Sequence, residues 1–253
     1  MKAAAELDFY SWEEKAGEAE FGVRGTHGSL ENAKSEASMI VVYVLLTGRN
    51  LSLEECRRLL QMVSANKREQ IERYVRLEDA QRTLLGDVLI RKALNDTFGL
   101  SNGAMVFGAN TFGKPVLASH PEYYFNVSHS GNYVVGAVSS LPVGIDVEAI
   151  GKVDMRIADR FFAQQEKQYI IDRPSSEQER AFCQVWTKKE AYIKREGRGF
   201  AMPLDSVNVL SQIDGTYFHL IFENREAICH VCSCESMPPT IQHYTVDNLV
   251  EWM

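Results

Sequence analysis

The chain has 253 residues, 45% of them hydrophobic and 24% charged, with a formal net charge of −7 at pH 7. This composition can bury a real core, and it excludes collagen, coiled coil and wholesale disorder. The acidic total argues against a general nucleic-acid binder, which needs a broad basic face. No apolar run approaches the roughly 18 residues of a membrane span. No apolar h-region follows Lys2, and five cysteines fit reduced thiols better than a disulfide framework. The expectation is a cytoplasmic globule without membrane contact.

Residues 1–38 are rich in Ala, Glu, Gly and Ser and show no steady apolar period. They read as a mobile extension, a fusion remnant or an upstream start, with a packed helix over 4–20 as the alternative. Eight acidic and four basic residues lie there, so the other 215 residues carry 26 and 23, a net −3.

From Met39 the elements alternate. IVVYVLL reads as a buried strand. Ser52 with Glu55 three residues later forms a capping box for a helix to about Val63. A second helix is expected over about 67–75. A third runs over about 79–98, with Leu84, Leu85, Val88, Leu89 and Leu94 on one stripe and Gly99 as its stop. Strands follow over 104–108, 115–117, 123–128, 133–139 and 143–148. Helices resume over about 154–162, 165–171 and 177–197, and strands over 206–210, 216–222 and 227–233 close the chain. This is mixed α+β, divided near Leu141-Pro142 into an N-terminal half, 39–141, and a C-terminal half, 142–253.

Four segments bear chemistry. In Gly144-Ile145-Asp146-Val147-Glu148, residues two apart share a strand face, so Asp146 and Glu148 project side by side. Paired carboxylates repel unless a cation or proton lies between them, and Mg²⁺ is a natural guest. A solvated edge-strand face fits the pair as well. In Trp186–Lys194, helical spacing puts Thr187, Glu190 and Lys194 on one face with Lys189 on its flank. Glu190 could be a third oxygen ligand or a proton acceptor, and the lysines could meet a pyrophosphate. An exposed Glu190–Lys194 pair is the plain alternative. Phe125–Gly131, FNVSHSG, offers Ser128 and His129 as phosphate donors where Gly131 lets backbone come close. Gly113-Lys114-Pro115 is a turn that aims Lys114. Cys229 and Cys232 form a CxxC beside His230, but no second ligand pair follows at zinc-finger spacing. They read as core and edge thiols.

Taken jointly, the patterns GKPxL (Gly113 to Leu117), FNxSHSG, GIDxE and WxxKEAxxK resemble the Sfp-type 4′-phosphopantetheinyl transferases, which prime carrier proteins of nonribosomal peptide and polyketide synthases. Arg82 to Asp87, RTLLGD, also looks like that family's early helix. The resemblance runs from Met39 to about Val209. It implies two similar α/β halves related by a pseudo-twofold, with coenzyme A in the cleft between them.

Carried onto this sequence, the resemblance implies Mg²⁺ on Asp146, Glu148 and Glu190, and Lys189 and Lys194 at the pyrophosphate. Lys67, Arg82, Ser128 and His129 would hold the 3′-phosphate and ribose, and Gly113, Lys114 and Pro115 would line the adenine pocket. Gln70 stands where the family places a second lysine after Lys67, which removes one contact. The catalytic set is Asp146, Glu190 and Lys194. Phe161, Phe162, Lys167 and Tyr169 would face an apo peptidyl or acyl carrier protein; an ordinary amphipathic helix pair fits them nearly as well. After Phe222 the match weakens, as if a hairpin were missing from a trimmed second sheet. The implied protein is a monomer acting on coenzyme A and carrier domains. Its rivals are a non-catalytic coenzyme A or carrier-protein binding module, and another Mg²⁺-dependent phosphate enzyme such as a nuclease.

Overall fold

The structure is a computed structural model whose described residues are 39–252. The expected extension over 1–38, and its alternative helix, lie outside them. The apolar run after Met39 forms β1 (Ile40–Leu46), buried on both faces. Alternate residues feed two different cores: Val41, Tyr43 and Leu45 one, Ile40, Val42 and Val44 the other. An unbroken apolar strand is what burial on both faces requires.

The next three helices are α1 (Leu53–Met62), α2 (Ala65–Glu72) and α3 (Leu77–Phe98). The capping box forms as expected: Ser52 accepts from Glu55 N, and the Glu55 carboxylate accepts from Ser52 N. Helix α3 stops where Gly99 takes a left-handed φ of 72°. A short hairpin follows, β2 (Phe107–Ala109) and β3 (Pro115–Leu117), then β4 (Tyr124–Ser130), β5 (Tyr133–Ser139) and β6 (Val143–Ala149). The strand expected over 104–108 is displaced, because Asn102–Ala104 turn as a 3-10 helix.

The second half adds α4 (Met155–Phe161), α5 (Gln164–Ile171) and α6 (Ser175–Glu196), the last stopped by Gly197 at a φ of 67°. Then come β7 (Tyr217–Glu223) and β8 (Ala227–Ser233). The strand expected over 206–210 is absent: Leu204–Ser206 forms a 3-10 turn and 207–216 has no strand pairing. The chain closes with β9 (Thr240–Thr245) and α7 (Val246–Glu251).

Two sheets result. The first has the order β4-β5-β1-β9 and the second β6-β8-β7. The odd residues of β6, Val143, Ile145 and Val147, pack with β8 against the β1–β5 face, so the sheets share a core. Helix α3 covers the far face of the first sheet and α6 that of the second. Each half thus sets a 22-residue helix on its sheet, and both helices end at a left-handed glycine. The second sheet has three strands. The division near Leu141 is crossed, however: β9 returns to lie parallel to β1, pairing Val41 with Thr240 through Leu46 with Thr245.

Helix α6 and strand β6 meet backbone to backbone at Gly144. A Cβ there would lie 2.0 Å from Ala191 O and 2.4 Å from Arg195 N, both backbone atoms of α6. Gly144→Ala should therefore cost about 3 kcal/mol or more, read as a fall in the urea midpoint or loss of soluble protein. Gly151→Ala, where the same added atom meets nothing within 4 Å, should cost well under about 1 kcal/mol.

Candidate active site

The even residues of β6 face α6, which runs in the opposite direction: Cys183 lies by Ala149, and Ala191 and Arg195 by Gly144. This brings Asp146 and Glu148 beneath Glu190 and Lys194. Lys194 Nζ donates to Asp146 Oδ1 at 2.7 Å and to Ser128 Oγ at 3.2 Å. Ser128 Oγ donates to the same Asp146 oxygen at 2.8 Å, and Ser130 Oγ donates to Glu148 Oε1 at 3.2 Å. The site therefore draws on both halves.

Burial sets the electrostatics. It pushes the Asp146 carboxyl up against the pull of Lys194. Burial, then the charge of Asp146, raises Glu148 to about 7. Burial also raises Glu190 to about 7, with Lys194 opposing. Asp146 Oδ2 and Glu190 Oε1 are buried without a hydrogen-bond partner. Buried orphan carboxylate oxygens call for a ligand, and this all-oxygen donor set fits Mg²⁺, which takes one or two carboxylates and completes its shell with water and phosphate. The site is not a closed metal cage: among the described residues no three His, Cys, Asp or Glu side chains gather tightly enough to hold a metal by themselves.

The FNxSHSG segment has a second task. Asn126, Ser128 and Ser130 alternate along β4 and all reach β6. Asn126 Oδ1 accepts from Ile145 N at 2.7 Å, and Ser130 Oγ accepts from Ala149 N at 3.0 Å. These side chains satisfy β6 edge N–H groups that no neighbouring strand pairs, and so join the two sheets. Ser128 and His129, expected together on a 3′-phosphate, point to opposite sides of β4. Ser128 is committed to Asp146. His129 lies on the side of Val127, which packs with α3, and Arg82 of α3 donates to Gly131 O. Arg82 also pairs with Asp79. Lys67 Nζ donates to Gln70 Oε1 at 3.0 Å, so the residue replacing the family lysine partners the lysine that remains.

Two expectations are corrected. Lys189 does not face a pyrophosphate: it is fully buried in an ion pair with Glu166 at 2.7 Å, both side chains 0% exposed. It also donates to Leu204 O and Val207 O. One residue from Glu190 on a helix is a rotation of about 100°, which carries Lys189 from the site into the packing against α5. Phe162 is not a docking side chain; it is 1% exposed and stacked on Phe182 and Trp186. Lys114, expected at the adenine pocket, sits on the hairpin turn. Its stem is buried, and its ammonium donates to Val143 O and Arg195 O, bracing the hairpin turn against the second half. Gly113, at a φ of 84°, and Pro115 are exposed beside it. Phe161, Lys167 and Tyr169 are part-buried. Lys167 donates to Asp159 O, and the Tyr169 hydroxyl donates to Gln184.

Sequence reasoning overlooked Asn126 and Ser130, though their spacing of two from Ser128 placed all three on one face. It also overlooked His230, which lies across from Asp146 in the ladder and shares a hydrogen bond with Thr187 at 2.8 Å. Burial holds that imidazole down to about 3, neutral beside the site. Cys229 and Cys232 are buried free thiols, and Cys234 is exposed.

Comparison with known sequences agrees with this picture. A model of the 4′-phosphopantetheinyl transferase superfamily matches residues 142–246, and one described as 4′-phosphopantetheinyl transferase, N-terminal, matches residues 50–141. The chain is 41% identical over 174 residues to 4′-phosphopantetheinyl transferase ffp of Bacillus subtilis, covering 69% of this chain and 78% of that one. Against 4′-phosphopantetheinyl transferase Sfp of Bacillus subtilis (strain 168) the identity is 39% over the same shares. Against 4′-phosphopantetheinyl transferase gsp of Aneurinibacillus migulanus it is 34% over 195 residues, 74% and 81% of the two chains.

Asn126→Ala tests the sheet seam. The variant leaves the Ile145 N–H buried and unpaired, which should lower unfolding free energy by about 1–3 kcal/mol in a urea titration. A change within about 0.5 kcal/mol would show the seam does not depend on it.

Proposed function

The chain belongs to the 4′-phosphopantetheinyl transferase superfamily, and on that premise we propose how its residues divide the reaction. The protein transfers 4′-phosphopantetheine from coenzyme A to a serine hydroxyl of an apo carrier protein. The serine oxygen bonds to the β-phosphorus as the bond to the bridging pyrophosphate oxygen breaks. Holo carrier protein and adenosine 3′,5′-bisphosphate leave. The observation that carries this assignment of roles is the group of buried Asp146 with half-buried Glu148, Glu190 and Lys194, and its two orphan carboxylate oxygens.

Asp146, Glu148 and Glu190 would hold Mg²⁺, which when bound neutralises and aligns the pyrophosphate. Glu190, raised to about 7, is suited to take the serine proton near neutral pH. Lys194, the ammonium at the centre of the group, would meet charge on the departing phosphate. Arg82, His129 and Lys67 lie on or near α2 and α3 and are our candidates for the 3′-phosphate. The exposed Gly113–Pro115 turn is our candidate for adenine. For the carrier, we keep the α4–α5 surface with Phe161, Lys167 and Tyr169, without Phe162. Its peptidyl or acyl type is part of the proposal. We read the enzyme as a monomer acting in the cytoplasm, a reducing compartment suited to five free thiols. No helix among the described residues is long and apolar enough to cross a membrane.

Two outcomes follow. Asp146→Ala should stay folded yet lose transfer by about a hundredfold or more, the scale for removing a positioned charge contact. The readout is the mass gain of one phosphopantetheine on an apo carrier protein, and a near-normal rate in Mg²⁺ would sink the metal assignment. Protons and Mg²⁺ should also compete for Glu148 and Glu190, both raised to about 7. Below that value the carboxyls hold protons, so apparent Mg²⁺ affinity should fall by about tenfold or more between pH 8 and pH 6. Calorimetric titration showing a flat profile would remove this coupling.

A further inference from the structure

We propose that Lys194 is a resident counter-ion of the carboxylate group, and that its release couples metal binding to arrival of the coenzyme A pyrophosphate. The inference rests on the reading of Asp146, Glu148 and Glu190 as metal ligands. The Lys194 ammonium is 2.7 Å from Asp146 Oδ1 and 3.2 Å from Ser128 Oγ, while Ser128 donates to that same Asp146 oxygen. The ammonium also feels the charges of Glu190 and Glu148. It thus stands in the position of a cation among three acidic side chains.

A divalent ion on either oxygen of Asp146 sets a second cation against the carboxylate that Lys194 already holds. Two cations against one buried carboxylate repel strongly where water is excluded. Displacing Lys194 with no new anion leaves a half-buried charge without its partner, which carries a cost. A pyrophosphate removes that cost by giving the ammonium another anion. The metal alone should therefore bind weakly, and metal with coenzyme A should bind with positive coupling.

The surroundings allow the ammonium to move without the helix. Arg195, next in sequence, is tied to Glu196, Thr216 Oγ1 and Ser233 O, which fixes the last turn of α6. The Lys194 side chain is 23% exposed and carries four rotatable carbons. Its head can swing from Asp146 toward a ligand while its backbone stays on Gly144. The orphan oxygens, Asp146 Oδ2 and Glu190 Oε1, make no hydrogen bond to the ammonium, and an ion seated on them still meets its charge across the Asp146 carboxylate.

The experiment is Mn²⁺ binding to the full chain, followed by electron paramagnetic resonance, with and without saturating coenzyme A and with no carrier protein. Wild type should bind Mn²⁺ at least about tenfold more tightly when coenzyme A is present, within the usual range of coupling. Lys194→Gln, and Lys194→Met as a second variant of similar length, should bind Mn²⁺ more tightly than wild type without coenzyme A. Their coupling should shrink to about threefold or less. Lys188→Gln removes the same charge from α6 at a groove lined with Tyr169, Phe218 and His230, and should match wild type in both titrations. Lys194 variants that bind Mn²⁺ like wild type or more weakly, with coupling intact, would overturn the proposal. Equal tightening in Lys188→Gln would also overturn it, since net charge alone would then account for the effect. Absence of Mn²⁺ binding in every protein, with or without coenzyme A, would remove the metal reading itself and this inference with it.

Discussion

The site depends on backbone contact between a helix and a strand. Where α6 crosses β6, a Cβ on Gly144 would stand 2.0 Å from the Ala191 carbonyl oxygen, so only glycine permits the approach. With the two backbones that close, carboxylates two and four residues along the strand fall under side chains one residue before and three after Ala191. Asp146, Glu148, Glu190 and Lys194 meet for this reason. A helix held at an ordinary distance would leave the Lys194–Asp146 pair beyond its 2.7 Å contact.

Crowding three acids around one ammonium in a desolvated place has a defined cost. Burial raises each carboxyl, and Lys194 offsets part of that rise. The structure accepts two buried oxygens with no partner. A purely structural polar group would be satisfied, because leaving it unmade costs about 1–3 kcal/mol. Such strain fits a place where charge is to be supplied from outside, by a metal ion and a polyphosphate. His230 and Thr187 close off the floor with a neutral hydrogen bond, so no second buried cation competes with Lys194 there.

The two halves are joined by side chains as well as by backbone pairing. Asn126 and Ser130 cap the open edge of β6, Asn110 donates to Gly197 O, and Lys114 to Val143 O and Arg195 O. Strand β9 makes the one backbone return, leaving the second half to extend the first sheet beside β1. The buried Lys189–Glu166 pair does the matching work inside the second half. Glu166 accepts from Ala163 N and Val209 N while Lys189 holds Leu204 O and Val207 O, which ties α5, α6 and the following loop together. Each acidic or basic residue in that network has its partners, unlike those at the site.

The local features were legible in the amino-acid order. The capping box of α1, the glycine stop at Gly99, the alternation of Asp146 and Glu148 along β6, and the α+β class all follow from periods of two and 3.6 and from glycine's freedom. The motif order likewise pointed to the transferase family. What the order could not say is where each charged or aromatic side chain ends. Lys189 and Glu190 are neighbours in sequence, yet a rotation of about 100° per residue sends one into a buried ion pair and the other to the site. Phe162 and Phe161 part in the same way, and Ser128 and His129 part because a strand alternates. The strand read over 206–210 lost to a turn, since an apolar run has no fixed structure until it has a partner. Strand β9, short and mostly exposed, formed because β1 offered it an edge. Residue type and spacing determined what chemistry was available, and the close packing of α6 on β6 decided which of those residues share it.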